Sequence, residues 1–262
     1  LRVATILQAR QVSGSQQGFT LVELMISMTI GLVLLLAIGT VFTSSRQVSR
    51  VQEDNARIQE SGRFALEILG RNIKQAGHAE IPFTGLKVGF SGTAIKGTDG
   101  ASGGADTLTV QYDGATGDRD CEVGVVSVVA PVDTIIQNHF NLDAANAQLQ
   151  CKGIIGAPPV APGAGAVGHP LLENIEDFQV LYGIDTTGDQ SVNQYVSLPA
   201  DWNQVITTRV CVLIRSDQIN IVPAGGTYLN CKGAAVDVPA DKRLRRAFTA
   251  TFNLRNRVSN LP

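Results

Sequence analysis

From Leu24 to Phe42 the chain runs nineteen residues without a charged side chain, LMISMTIGLVLLLAIGTVF. At about 1.5 Å per residue this predicts a helix that spans roughly the 30 Å hydrocarbon core of a bilayer. A cleaved secretory signal would be shorter and would stop at a small-residue cleavage site. Here the pattern continues as helix. Val41, Val48, Val51, Asn55, Ile58, Gly62, Ala65, Leu69 and Ile73 recur at spacings of three and four or their sum, defining one small or apolar face. Arg46, Arg50, Glu53, Arg57, Glu60, Arg63, Glu67, Arg71 and Lys74 take the other face, with Glu53 and Glu67 each four residues before an arginine. The pattern predicts one nearly continuous helix from Phe19 to Ala76, about 87 Å long, with Gly77 as its carboxyl-terminal cap. Gly62 and Asn55 on the seam favour a helix resting on a sheet over a free coiled coil.

Beyond His78 the pattern changes. Thr107–Tyr112, Val123–Val129, Ile175–Tyr182, Val205–Ile214 and Ala247–Leu254 read as strands of a mostly antiparallel sheet. Residues 97–104 and 153–170 are rich in Gly, Pro and Ala and are predicted as irregular surface connections. The fold class is therefore α+β, a long amino-terminal helix packed on a β-rich head.

Composition narrows the function classes. The 27 Gly and 10 Pro among 262 residues exclude a pure helix bundle, and 44% hydrophobic content excludes disorder. The formal net charge of -2 hides a basic amino-terminal third, an acidic middle from 78 to 240 and a basic tail from 241. An acidic middle repels phosphates, so direct nucleic-acid binding is not expected. Cys121, Cys151, Cys211 and Cys231 show neither C-x-x-C pairing nor zinc spacing. Four cysteines allow three disulfide connectivities. Cys121 with Cys151 and Cys211 with Cys231 is favoured, because each closes a short loop.

The most informative residues precede the apolar run. In Gly18-Phe19-Thr20-Leu21-Val22-Glu23 a carboxylate stands at the lipid threshold, where an ionised group needs a partner. Cleavage after Gly18 would free an amine at Phe19, and one subunit's amine could neutralise a neighbour's Glu23. The segment QQGFTLVELMIS with its apolar run resembles the prepilin signal of type IV pilins and type II secretion pseudopilins. The resemblance implies cleavage between Gly18 and Phe19 by prepilin peptidase, methylation of the Phe19 amine, and Glu23 as the carboxylate that sets register in a filament. It divides the chain into a leader (1–18), a transmembrane half-helix (19–42), an amphipathic half-helix (43–77) and a periplasmic head (78–262). Two features depart from the family pattern: the leader carries only Arg2 and Arg10 as positive charges, and Thr40 stands where major pilins usually have proline.

In the head, VLYGIDTTGDQSVNQYV and the terminal RLRRAFTATFNLRNR resemble PilW-type minor pilins. That resemblance implies a non-enzymatic subunit, anchored once in the bacterial inner membrane, that initiates or caps a pilus for adhesion, twitching motility or DNA uptake. Its implied partners are the major pilin, other minor pilins and a PilY-type tip adhesin. A GspJ-type pseudopilin of type II secretion is the near alternative. A membrane-anchored periplasmic enzyme is the alternative of a different class and would need perturbed acids converging in a cleft.

Candidate chemistry in the head is sparse. Asp185, Thr187, Asp189, Ser191 and Asn193 repeat at alternate positions, the ligand rhythm of a calcium loop. Gln190 replaces that loop's turn glycine and Val196 its bidentate Glu, so a plain hairpin turn is the simpler reading. The acidic run Asp113, Asp118, Asp120 and Glu122 reads as a solvated loop. Residues 163–168 spell G-x-G-x-x-G, but no strand leads into them and Pro170 follows, which excludes a dinucleotide site. His78, His139 and His169 fit no catalytic motif and read as surface or turn residues. Trp202 reads as a core anchor.

Overall fold

The computed structural model describes residues 18–79, 90, 92–124, 134–156, 168–223 and 225–256. One helix, α1 (Leu21–Gln75), is followed by eleven strands among the described residues. α1 passes through Gly39 and Thr40 without a break, and the Thr40 hydroxyl donates to the Ala37 carbonyl at 2.8 Å. It stops at Gly77, whose φ of +71° is the left-handed conformation that glycine adopts without steric cost. The Gly77 N–H then leaves the helical ladder to donate to Gln111 O at 2.9 Å.

The chain forms two compact units, Leu1–Ser49 and Arg50–Pro262. In the first, the large apolar side chains from Leu21 to Phe42 are solvent-facing, as are Val41 and Val48 of the expected seam. In the second, α1 buries Asp54, Ile58, Gly62, Ala65, Leu69, Gly70, Asn72 and Ile73. The glycines permit this contact. A Cβ at Gly62 would stand 2.6 Å from the Phe248 ring, and one at Gly70 would collide with Phe252, so the helix sits directly on those two aromatics.

The strands make two antiparallel sheets and a hairpin. The first sheet has the order β1-β2-β3-β4-β5: β1 (Ile95–Thr98), β2 (Thr107–Asp113), β3 (Ile135–Asp143), β4 (Gln148–Gly156) and β5 (His169–Glu173). The second has the order β11-β8-β6-β7, from β6 (Ile175–Ile184), β7 (Gln194–Val196), β8 (Val205–Arg215) and β11 (Arg245–Asn253). The hairpin pairs β9 (Thr227–Leu229) with β10 (Ala235–Asp237). A single residue separates the sheets in sequence. Asn174, between β5 and β6, has φ +62°, a conformation asparagine tolerates, and there the chain turns from one sheet into the other.

Several expectations need correction. Residues 97–98 end β1 and 101–103 form a 3-10 turn, so 97–104 is not irregular throughout. Gly153–Gly156 end β4 and His169–Pro170 begin β5, while 157–167 lie outside the described residues. Val123 has φ +67° and, like Gly124, belongs to no strand; residues 125–129 of the expected strand lie outside the described residues. Strand β3 escaped the period-two reading because Gln137, Asn138 and His139 interrupt its apolar residues. Cross-strand partners satisfy two of them: Gln111 Nε2 donates to Gln137 Oε1 at 2.6 Å, and the Thr109 hydroxyl pairs with His139 Nδ1 at 2.8 Å. Asn138 Nδ2 instead reaches Asn72 Oδ1 on α1 at 2.7 Å, fastening the helix to the first sheet.

Two buried charged groups join segments far apart in sequence. Asp106, just before β2, accepts from Gly100 N at 2.9 Å and from Val180 N of β6 at 2.7 Å. Arg245, at the start of β11, grips Glu176 through Nε (2.6 Å) and Nη2 (2.8 Å) and Asp241 through Nη1 (3.0 Å) and Nη2 (2.7 Å). Trp202 packs edge-on against Tyr182, with ring centroids 4.9 Å apart, and abuts the core.

Candidate functional site

The start of α1 is a local construction that its own residues explain. Thr20 is the N-cap. Its hydroxyl accepts from Glu23 N at 3.2 Å, and Glu23 Oε2 accepts in return from Thr20 N at 3.2 Å and from the Thr20 hydroxyl at 3.1 Å. This reciprocal capping box satisfies helix N–H groups that have no partner in the first turn. Its sequence signal, Thr-x-x-Glu ahead of an apolar run, was available but is masked by the more conspicuous carboxylate at the membrane threshold. Glu23 thus has one partner inside its own chain. Phe19, immediately before the cap, is 87% exposed.

Along the apolar span the hydroxyls are turned inward on the helix backbone. Ser27 donates to Leu24 O at 3.0 Å, Thr29 to Ile26 O at 2.8 Å and Thr43 to Gly39 O at 3.1 Å. No hydroxyl there needs water, which suits an apolar surrounding. By length and composition this helix can cross a membrane.

In the head, Cys121 is bonded to Cys151 of β4, and Cys211 of β8 to Cys231 in the β9–β10 turn. Next to the first bond, Glu122 corrects the expectation of a solvated acidic loop. Its carboxylate takes Lys152 Nζ at 3.0 Å, Gly153 N at 3.0 Å and His169 Nδ1 at 2.6 Å. Burial opposes the charge, but these hydrogen bonds prevail and hold the Glu122 pKa below the usual carboxylate range. Asp113 is buried as well, and Asp120 accepts from Glu122 N and Gly124 N. His139 lies within β3 rather than in a turn, and burial lowers its pKa. His78 is exposed, and His169 opens β5.

The Asp185–Asn193 segment joins β6 to β7 as a hairpin connection. Asp185 Oδ1 accepts from Thr187 N (3.0 Å), Gly188 N (2.6 Å) and the Thr187 hydroxyl (3.3 Å), and Oδ2 accepts from Gln190 N (2.7 Å). Asp189 accepts from Ser191, and Asn193 Oδ1 accepts from Thr186 N at 2.7 Å. Burial would raise the Asp185 pKa, but the N–H donors of Gly188, Gln190 and Thr187 outweigh it and lower it. Gln190 sits at φ +63° where a calcium loop has glycine. Among the described residues, no group of three or more His, Cys, Asp or Glu side chains is disposed to hold a metal. The segment's geometry is that of a hydrogen-bonded turn. Asp185→Ala is therefore expected to cost about 2 kcal/mol, measured by thermal melting, by the same amount in calcium and in chelator. A melting shift on calcium addition that Asp185→Ala abolishes would instead assign a calcium ion to this loop.

Comparison with known proteins agrees with this architecture at both ends of the chain. The prokaryotic N-terminal methylation motif matches residues 14–39, which hold Gly18, Phe19, Glu23 and most of the apolar span. The family described as Type IV Pilus-assembly protein W matches residues 136–256, from β3 through β11. A solved type IV-like pilin from Thermus thermophilus aligns with 78% of this chain and 100% of its own, at 15% identity and a TM-score of 0.49. No curated protein matches the sequence. With its prepilin-type amino terminus ahead of a helix-on-sheet head, the chain is a type IV pilin-like protein. Within that class residues 136–256 are similar to the Type IV Pilus-assembly protein W family, which suggests a pilus-related structural subunit, and the apolar amino-terminal helix suggests membrane anchoring.

Proposed function

We propose that this chain is a minor pilin that initiates assembly of a type IV pilus or caps its tip, in the service of adhesion, twitching motility or DNA uptake. Prepilin peptidase cuts after Gly18 and methylates Phe19. Before assembly the subunit crosses the bacterial inner membrane once, with its head in the periplasm, and its partners are the major pilin, other minor pilins and a tip adhesin. The observation that carries this reading is the exposed apolar surface from Leu21 to Phe42, with Glu23 at its threshold. Such a surface is stable in lipid and can be exchanged for neighbouring helices during assembly, where packing replaces lipid contact. A mature Phe19 amine from one subunit then offers Glu23 of the next a cationic partner.

The capping box makes the test specific. A gene deletion should reduce surface pili, and the wild-type chain should restore them. Glu23→Ala should fail, because both charge and cap are lost. Glu23→Gln keeps a capping side chain but removes the charge, and it should fail as fully as alanine if charge pairing with a neighbour is the function. Restoration by glutamine would reduce Glu23 to a helix cap. Normal piliation in the deletion strain, with co-purification of secretion pseudopilins, would transfer the chain to a secretion machine.

A further inference from the structure

The unit Arg50–Pro262 contains a carboxylate oxygen that its own fold leaves unsatisfied. Asp54, on α1, is 4% exposed, and its Oδ2 has no hydrogen-bond partner. It lines a cleft of about 800 Å³ between α1 and the β5 edge, whose lining also includes the Ile214–Asp217 stretch. Two of the three arginines lining the cleft are engaged, Arg57 with Glu53 at 2.9 Å and Arg215 with Glu176 at 3.3 Å; the third, Arg63, shares the lining with the carboxylates of Glu60 and Glu67 as well as Asp54. Glu173 and Asp217 face the same cleft and add negative charge. The apolar part of the wall includes Phe64, 49% exposed on the helix side, with Leu171 and Leu172 half-buried on the strand side.

A buried carboxylate without a donor is costly in the isolated chain, and a cation supplied from outside removes that cost. Burial, opposed by Arg57 and assisted by Asp217, holds the Asp54 carboxyl above its ordinary range, the condition of an anion that lacks a sufficient counter-charge. We propose that this cleft is a docking site for a partner polypeptide segment that presents an arginine or lysine flanked by apolar side chains, with the cation meeting Asp54 and the flanks covering Phe64 and Leu171. Charge complementarity selects this occupant: an apolar segment would leave Asp54 unpaired, and an acidic one would be repelled by Glu173 and Asp217 as well. The site lies within the unit Arg50–Pro262 and does not involve Glu23, so its failure is separable from that of the assembly reading.

The test uses the full chain in detergent micelles with two synthetic probes, acetyl-Leu-Arg-Leu-amide and the neutral acetyl-Leu-citrulline-Leu-amide, titrated calorimetrically. The wild-type chain should bind the arginine probe about tenfold or more tightly than the citrulline probe, the discrimination expected of a desolvated charge pair. Asp54→Asn should abolish that preference while melting no lower than the wild type, because it removes an unpaired buried charge. Phe64→Ala should weaken the arginine probe severalfold without changing the preference between probes. Equal binding of both probes by the wild-type chain overturns the proposal. So does a preference that survives Asp54→Asn, or an Asp54→Asn chain that melts well below the wild type, which would make Asp54 a structural residue.

Discussion

Arg245→Ala is expected to lower the unfolding free energy by about 3–5 kcal/mol, the effect of removing one partner from a buried ionic cluster. All five guanidinium N–H groups are used: Glu176 and Asp241 each take a two-pronged grip, and Nη1 also donates to Arg243 O at 3.2 Å. The side chain is 3% exposed. Removing it strips four charged hydrogen bonds and leaves Glu176 with Arg215 at 3.3 Å and Asp241 with the Arg243 N–H at 3.2 Å as their remaining hydrogen-bond partners. The Lys variant keeps the charge but cannot reproduce two planar forks, and should recover only part of the loss. For a domain of this size the alanine change corresponds to a drop in melting temperature on the order of 10 °C. Its pH dependence has a definite sign. Hydrogen bonds from Arg245 lower the Asp241 pKa despite partial burial, so that carboxylate stabilises the fold above the ordinary Asp range and the contribution is lost as pH falls through its depressed pKa. In Arg245→Ala this part of the acid sensitivity should disappear. An unfolding midpoint unchanged by the alanine substitution would show that the cluster contributes no net stability.

Asp106→Ala should cost about 3 kcal/mol, because it strips the acceptor from two N–H groups, those of Gly100 and the buried Val180. Asp106 also donates its own N–H to Phe178 O at 2.8 Å, so side chain and backbone together bind the start of β2 to β6, across the two sheets. Here the pH effect is opposite. Burial raises the Asp106 pKa more than the Gly100 and Val180 N–H groups lower it. The folded state therefore binds a proton more readily than the unfolded chain, and this group's contribution improves as pH falls toward the ordinary carboxylate range. Asp106→Asn, which keeps one acceptor oxygen, should lose that acid-side gain and about half the stability lost by alanine. Chemical denaturation at neutral pH and near pH 5 separates the two effects. An Asp106→Asn chain whose stability follows the wild-type pH profile would remove the assignment.

The two substitutions also mark where reading the sequence stops. The helix, β2, β6, β8 and β11 were legible because a period of 3.6 or 2 residues is a local property, repeated within each segment and independent of what lies opposite. Strand β3 was not legible, since Gln137 and His139 look like surface residues until Gln111 and Thr109 stand beside them in register. Residues 153–156 resembled a loop because Gly and Ile carry no alternation there, yet pairing with β3 makes them strand. At the amino terminus the apolar span, the prepilin motif and the carboxylate at its threshold are all legible, whereas the capping role of the same Glu23 emerges from its hydrogen bonds with Thr20.

By itself the sequence determined the amino-terminal apolar helix and its prepilin-type motif, because both are written in consecutive residues and need no distant part of the chain to be recognised. Only the tertiary structure decided which polar groups of the head are satisfied. Arg245 meets Glu176 across 69 residues and Asp106 meets Val180 across 74, while Asp54 meets no donor at its Oδ2. The physical reason is range. Hydrophobic periodicity is written within a few residues, but a buried charge is settled by whichever distant group the fold brings within hydrogen-bonding distance.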